Sequence, residues 1–146
     1  MIRVLGIDFG VRRHGLAVSD PMGYSAQPAG VVERKGRDPG LDEIARVIED
    51  KEVTRIVIGL PVHMDGEPGD HYEDVLAFVA LLEERFGLPV ETVDERLTTV
   101  QAERALLEGG MSRKKRKQRV DQMAAQLILQ GWLDRQSGMP DIPDLS

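Results

Sequence analysis

The sequence predicts an α/β fold, a mixed five-stranded sheet flanked by helices on both faces. Three observations predict it. Strand-like and helix-like runs alternate along the chain after residue 40. The run Arg55-Ile56-Val57-Ile58-Gly59 is short, continuous and β-branched, as a strand buried on both faces requires. Two apolar runs near the N-terminus, Ile2 to Asp8 and Gly15 to Ser19, are joined by a turn too short for a crossover, so they pair antiparallel. At 146 residues the chain has the length of one domain, expected over 1–136. Residues 137–146, with Pro140 and Pro143, are expected to form a flexible acidic tail.

Each element follows from local chemistry. After the hairpin, Val31 to Arg34 reads as a third strand, introduced by Pro28-Ala29-Gly30. Leu41, Ile44, Ala45 and Ile48 recur at helical spacing, with Asp38 or Gly40 at the start. Residues 55–59 form the fourth strand. Val75, Phe78, Val79, Leu82 and Phe86 make a second helical stripe, and Gly87 stands where a helix stop wants a left-handed residue. Pro89 to Val93 is the fifth strand. Thr98 with Gln101 fits a capping box opening a helix through Leu107, which Gly109-Gly110 ends. The last helix carries Val120, Met123, Ala124, Leu127 and Ile128 on one face.

Composition narrows the function classes. There is no cysteine, which excludes disulfides and thiolate metal ligands. No stretch approaches the about 20 apolar residues of a membrane span, and no signal-peptide pattern opens the chain, so a cytoplasmic location is expected. The net charge is −6, yet cations cluster locally. Arg113-Lys114-Lys115-Arg116-Lys117-Gln118-Arg119 holds six cations in seven positions, and Arg12-Arg13-His14 forms a smaller group after the first strand. Both can meet phosphates, and a solvated segment offsetting nearby acids is the alternative for the longer run.

Asp8 is the informative carboxylate, because it lies inside an apolar strand. An ionised carboxylate taken out of water is paired, metal-bound or protonated. Asp94 and Glu95 fall at the C-terminal end of the fifth strand, where ligands of α/β sheets gather, and Asp121 falls at the start of the last helix beside Ala124 and Ala125. Three carboxylates from distant positions can thus converge at one edge of the sheet. Hard divalent cations such as Mg²⁺ and Mn²⁺ take oxygen ligands, and an ion pair about 3.5–4 Å apart can serve phosphodiester hydrolysis. Each acid also has a structural alternative: Asp94 and Glu95 can cap a helix or pair with Arg96, and Asp121 can face a helix dipole. Arg96 has the fork to hold Glu95 or a phosphate. Gly10 and Gly15 allow a tight turn that brings amides near a phosphate. Gly59-Leu60-Pro61 shapes a loop bearing His63 and Asp65. His14, His63 and His71 lack the spacing of a zinc site. Trp132 reads as core or interface rather than a base-stacking platform.

Taken in order, Gly6-Ile7-Asp8-Phe9-Gly10 with Gly15-Leu16-Ala17, Ile58-Gly59-Leu60-Pro61 with Met64-Asp65-Gly66, Asp94-Glu95-Arg96-Leu97-Thr98-Thr99, and Val120-Asp121-Gln122-Met123-Ala124-Ala125 resemble the motifs of the pre-16S ribosomal RNA nuclease family, also called Holliday-junction resolvase-like. The resemblance spans about residues 2–133. It implies a ribonuclease H-like fold and a bacterial, cytoplasmic enzyme of 16S rRNA maturation. The family's acidic triad falls on Asp8, Glu95 and Asp121, as catalytic residues and ligands of Mg²⁺ or Mn²⁺, with two ions as the fuller site. Arg12, Arg13, Arg96, Lys114, Lys115, Arg116 and Lys117 are the expected nucleic-acid contacts. A fourth acid, frequent among resolvases, would stand at Ala124 or Ala125 and is lacking. The expected partners are precursor rRNA or branched DNA and a ribosome precursor particle, with no membrane, the protein acting as a monomer or homodimer. Two alternatives stay open: a resolvase of four-way DNA, and a non-catalytic nucleic-acid-binding or transcription-associated module. The actin-like ATPases share the Asp8-Phe9-Gly10 phosphate-loop pattern but need two lobes.

Overall fold

A computed structural model describes residues 2–63, 65–97 and 113–137, with backbone alone for Leu97 and residues 113–121. Its elements are β1 (Val4–Asp8), β2 (Arg13–Ser19), β3 (Ala26–Glu33), α1 (Leu41–Lys51), β4 (Arg55–Leu60), α2 (Tyr72–Phe86), β5 (Val90–Asp94), a 3-10 turn (Glu95–Leu97) and α3 (Arg113–Gln136). The expected helix from Thr98 through Leu107 lies outside the described residues, as does the acidic tail from residue 138 on.

The strands form one five-stranded sheet in the order β3-β2-β1-β4-β5. β1 runs antiparallel to β2 and parallel to β4, which is parallel to β5. The sheet is therefore mixed, and β1 occupies its centre. Asp8, the last residue of β1, stands opposite Gly15.

Side chains alternate between two cores. Leu5, Ile7, Leu16, Ile56, Ile58, Val75, Phe78 and Leu82 cluster on the side of α1 and α2, while Val4, Ala17, Val57, Ala125, Ile128 and Leu129 cluster beneath α3. A strand's two-residue period puts Leu5 and Ile7 on one face and Val4, Gly6 and Asp8 on the other. Both faces are covered, so the central strands read as continuous apolar runs. Each fully buried side chain of this kind contributes about 1.5–3 kcal/mol.

Three details depart from the sequence reading. β3 begins at Ala26 and runs through Pro28 and Gly30. Pro28 is tolerated because β3 is an edge strand, and its pairing slips by one residue between Gly15↔Val31 and Ala17↔Pro28, where Gly30 takes a φ of 97°. The buried stripe of α3 is Ala124, Ala125, Ile128, Leu129, Trp132 and Leu133, while Met123 and Leu127 are only partly buried. α3 also starts at Arg113, so Asp121 lies about two turns inside it and is no partner of its N-terminal dipole.

Glycine sets how closely α3 approaches. A Cβ on Gly6 would stand 2.8 Å from the Leu129 Cβ and 3.1 Å from the Ala125 carbonyl oxygen. The helix consequently rests on the backbone of β1, with Ala125 admitting the contact.

Candidate active site

Asp8 and Glu95, though far apart in sequence, line one cleft of about 160 Å³ together with Phe9, Gly59, Pro61, Asp70, His71 and Val75. Both carboxylates are buried, 4% and 6% exposed. Asp8 closes the central strand, and Glu95 opens the 3-10 turn that follows β5. Strand parity aims Asp8 and Gly59 to the face that α3 covers. Gly59 is needed there for a steric reason: a Cβ would come within 2.6 Å of the Ile128 Cδ1 and 3.0 Å of Glu95 Oε1.

Asp121 is placed by its backbone alone. It precedes Ala125 by about one helical turn, and Ala125 packs on Gly6. One turn of helix spans about 5.4 Å and two strand residues about 6.6 Å, so the step from Ala125 to Asp121 is comparable to that from Gly6 to Asp8. Among the described residues no group of three or more potential metal-binding side chains forms; the Asp121 side chain lies outside that description.

The turn after Asp8 is tied at both backbone groups of Gly10. Its N–H donates to His14 Nδ1 at 3.1 Å, and its carbonyl accepts from the Arg34 guanidinium at 3.0 Å. His14 Nε2 in turn donates to the Pro39 carbonyl at 2.9 Å. A Cβ on Gly10 would lie 2.0 Å from the Arg13 carbonyl oxygen, which excludes any other residue. Two expectations are corrected here. The Gly10 amide serves His14 and not a phosphate. His14 is fully buried among Phe9 and Phe78 and does not join Arg12 and Arg13 as a surface cation. Burial lowers its pKa to about 4, against the Pro39 hydrogen bond, which raises it, and with the Arg34 charge lowering it further. The ring is neutral at physiological pH.

The remaining cations divide. Arg12 is exposed, whereas Arg13 is largely covered and lies 3.6 Å from Glu33. Arg96 forks onto Asp94, with contacts of 2.7–3.2 Å. The Arg96 hydrogen bond keeps the Asp94 carboxyl below its usual range. Lys114, Lys115, Arg116 and Lys117 occupy the opening turns of α3. Trp132 is 8% exposed, donates its indole N–H to Glu91 and belongs to the core beneath α3. Asp70 and His71 are cleft residues that sequence reasoning missed. Their only signal was a position just before the α2 stripe, since nothing local says that a loop will fold back over a distant strand end.

A buried carboxylate on the central strand, a second at the end of a neighbouring parallel strand and a helix laid across both can be compared with known proteins. The family model described as RuvX, Holliday junction resolvase, matches residues 2–135. A Clostridium kluyveri protein named "Putative pre-16S rRNA nuclease" is 47% identical over 134 residues, covering 92% of this chain and 98% of that one. Proteins of the same name from Desulforamulus reducens and Natranaerobius thermophilus are 43% and 42% identical, covering 91% and 92% of this chain and 97% and 96% of theirs. Among solved structures, Thermus thermophilus RuvC in complex with a Holliday junction substrate superimposes with a TM-score of 0.54 at 16% identity, covering 94% of this chain and 97% of that one. A second Thermus thermophilus RuvC structure gives 0.51 at 17% identity, covering 94% and 98%. The fold is that of the ribonuclease H-like resolvases, and by the match over nearly its whole length the chain belongs to the RuvX Holliday junction resolvase family.

Proposed function

We propose that this protein hydrolyses phosphodiester bonds in structured RNA, acting in the cytoplasm on the 5′ end of precursor 16S rRNA. The observation that carries the reading is the pairing of two buried carboxylates, Asp8 and Glu95, in one cleft at the C-terminal ends of parallel strands. The names of relatives at 42–47% identity supply the substrate.

Two buried acids with oxygen donors only fit a hard divalent cation, Mg²⁺ or Mn²⁺, which Asp8, Glu95 and Asp121 would hold. Such an ion supplies charge stabilisation and an activated water for phosphodiester hydrolysis. Asp8 anchors the site because it closes the central strand, paired with Gly15 of β2 and directly after Ile7, the last residue paired with β4. Glu95 is held close by the Gly59 backbone, which leaves it little freedom to swing. The opening turns of α3 carry no acid, so their cations sit at the positive end of a helix dipole. A polyanion relieves that repulsion, which supports Lys114, Lys115, Arg116 and Lys117 as phosphate contacts, with Arg12, Arg13 and Arg96 as further contacts.

Cleavage of end-labelled precursor rRNA and of a four-way DNA junction, with Mg²⁺ or Mn²⁺, tests the reading beside the Asp8→Asn variant. Metal-dependent cutting of the RNA that a folded Asp8→Asn protein lacks is the expected result. Preference for the junction would favour the second reading, to which the family's description as a Holliday junction resolvase points. A folded Asp8→Asn protein that still cuts would end the assignment of the acids. No cutting of either substrate by the unaltered protein would favour a binding module.

A further inference from the structure

Beyond Asp8 and Glu95, the described polar side chains lining the cleft are Asp70 and His71, both contributed by the approach to α2 rather than by the sheet. We propose that His71 is a specificity-determining residue that accepts a hydrogen bond from a ribose 2′-hydroxyl of the bound strand, so that the cleft selects RNA over DNA. The inference rests on the nuclease reading above and adds to it the sugar that the site recognises.

His71 Nδ1 lies 3.1 Å from Asp74 Oδ2. An ionised carboxylate only accepts, so Nδ1 carries the proton, and in the neutral ring Nε2 is left as an acceptor. Asp70 is an acceptor as well. Outside the two carboxylates that would hold the metal, the described polar side chains of the cleft therefore present acceptors. Phosphate oxygens, themselves acceptors, gain nothing from them. The 2′-hydroxyl of ribose is a donor they can accept from, and deoxyribose has none.

The backbone supports a role for the ring. His71 has a φ of 66°, and Glu52 is the only other described non-glycine residue with a positive φ. Left-handed backbone is where glycine is least strained, and histidine accepts it at a cost. The first turn of α2 then places Asp74 against the ring, three residues on, which fixes the tautomer.

The test is a comparison of binding by full-length Asp8→Asn protein, which leaves the strand uncut, with and without His71→Gly. Glycine suits the positive φ, so the second variant removes the ring without adding strain. Fluorescence anisotropy in Mg²⁺ compares two short single strands of one base sequence, one with ribose and one with 2′-deoxyribose. The expected result is that removing His71 weakens ribose binding by about fivefold and leaves deoxyribose binding unchanged, the size of one net hydrogen bond. Equal losses on both strands, no loss on either, or no ribose preference before the ring is removed would each overturn the proposal. Cleavage of the ribose strand by the unaltered protein is scored separately. Absence of cutting there would defeat the nuclease reading, whereas cutting with an unchanged preference in His71→Gly would defeat this inference alone.

Discussion

Acid should destabilise this protein through His14. The ring is fully buried; it accepts from the Gly10 N–H at Nδ1 only while neutral, and donates from Nε2 to the Pro39 carbonyl. Its pKa falls from an ordinary 6.5 to about 4 on folding, chiefly because burial disfavours the charged form. The unfolded chain thus binds more protons than the folded one between these values. Stability is fully present above the unfolded pKa and is lost as pH falls toward the folded one. Between pH 7 and about pH 4.5 the loss is about 2 kcal/mol, since a tenfold change in proton affinity is worth about 1.4 kcal/mol. Urea denaturation at a series of pH values, for the unaltered protein and for His14→Phe, isolates this contribution. Phe fills similar space beside Phe9 and Phe78 but strands the Gly10 amide and the Pro39 carbonyl, costing about 1–3 kcal/mol at pH 7. The two stability curves should then converge as pH falls, because only the unaltered protein must resist protonation. Parallel curves from pH 7 to 4.5 would show that His14 protonation is not linked to folding.

Further predictions concern the cleft and its approaches. Gly59→Ala should cost about 1–3 kcal/mol in thermal or urea denaturation, since the new methyl meets Ile128 and Glu95. The same variant should cut more slowly even where it is fully folded, as Glu95 is displaced. Changing Lys114, Lys115, Arg116 and Lys117 to Gln should weaken RNA binding and reduce the slope of log affinity against log salt by about 0.7 for each phosphate no longer neutralised, read from titrations at several salt concentrations. Asp94→Asn releases Arg96 from its fork, so RNA affinity should rise modestly while Arg96→Gln lowers it, and equal affinities in both variants would exclude Arg96 as a contact.

Much of the frame was legible because its signals are local. Residues 55–58 read as a strand covered on both faces, and Ile56, Val57 and Ile58 are fully buried. Gly87 ends α2 in the left-handed conformation, its N–H bonded to the Glu83 carbonyl. Asp8 was legible as a charge out of place, and it is buried. What escaped was tertiary. Nothing in Arg12-Arg13-His14 separates the third residue from the two cations, yet strand parity turns His14 inward and Arg13 to the opposite face. The stripe on α3 was misjudged by about one position because Met123 and Leu127 are as apolar as the residues that are buried. His71 became a cleft residue only through the fold of the loop between β4 and α2. Gly59 was legible as a strand end but not as the space that Glu95 occupies, since an absent side chain carries no pattern.

The contact of α3 with Gly6 gives the molecule a mechanical tolerance. The spacing between β1 and α3 is set where the Gly6 backbone meets the Ala125 carbonyl and the Leu129 Cβ, atoms that no rotamer change can move, rather than by side chains that can change rotamer. If Asp8 and Asp121 share ions across that spacing, a single methyl added at Gly6, remote from any substrate, acts as a shim that lifts the helix. Misplacement of reacting groups by about 1 Å can cost 100-fold in rate. A Gly6→Ala protein would then be folded and able to bind RNA but slow, its defect lying in alignment, and suppressors would be sought among residues that thin the same layer, beginning with Leu129.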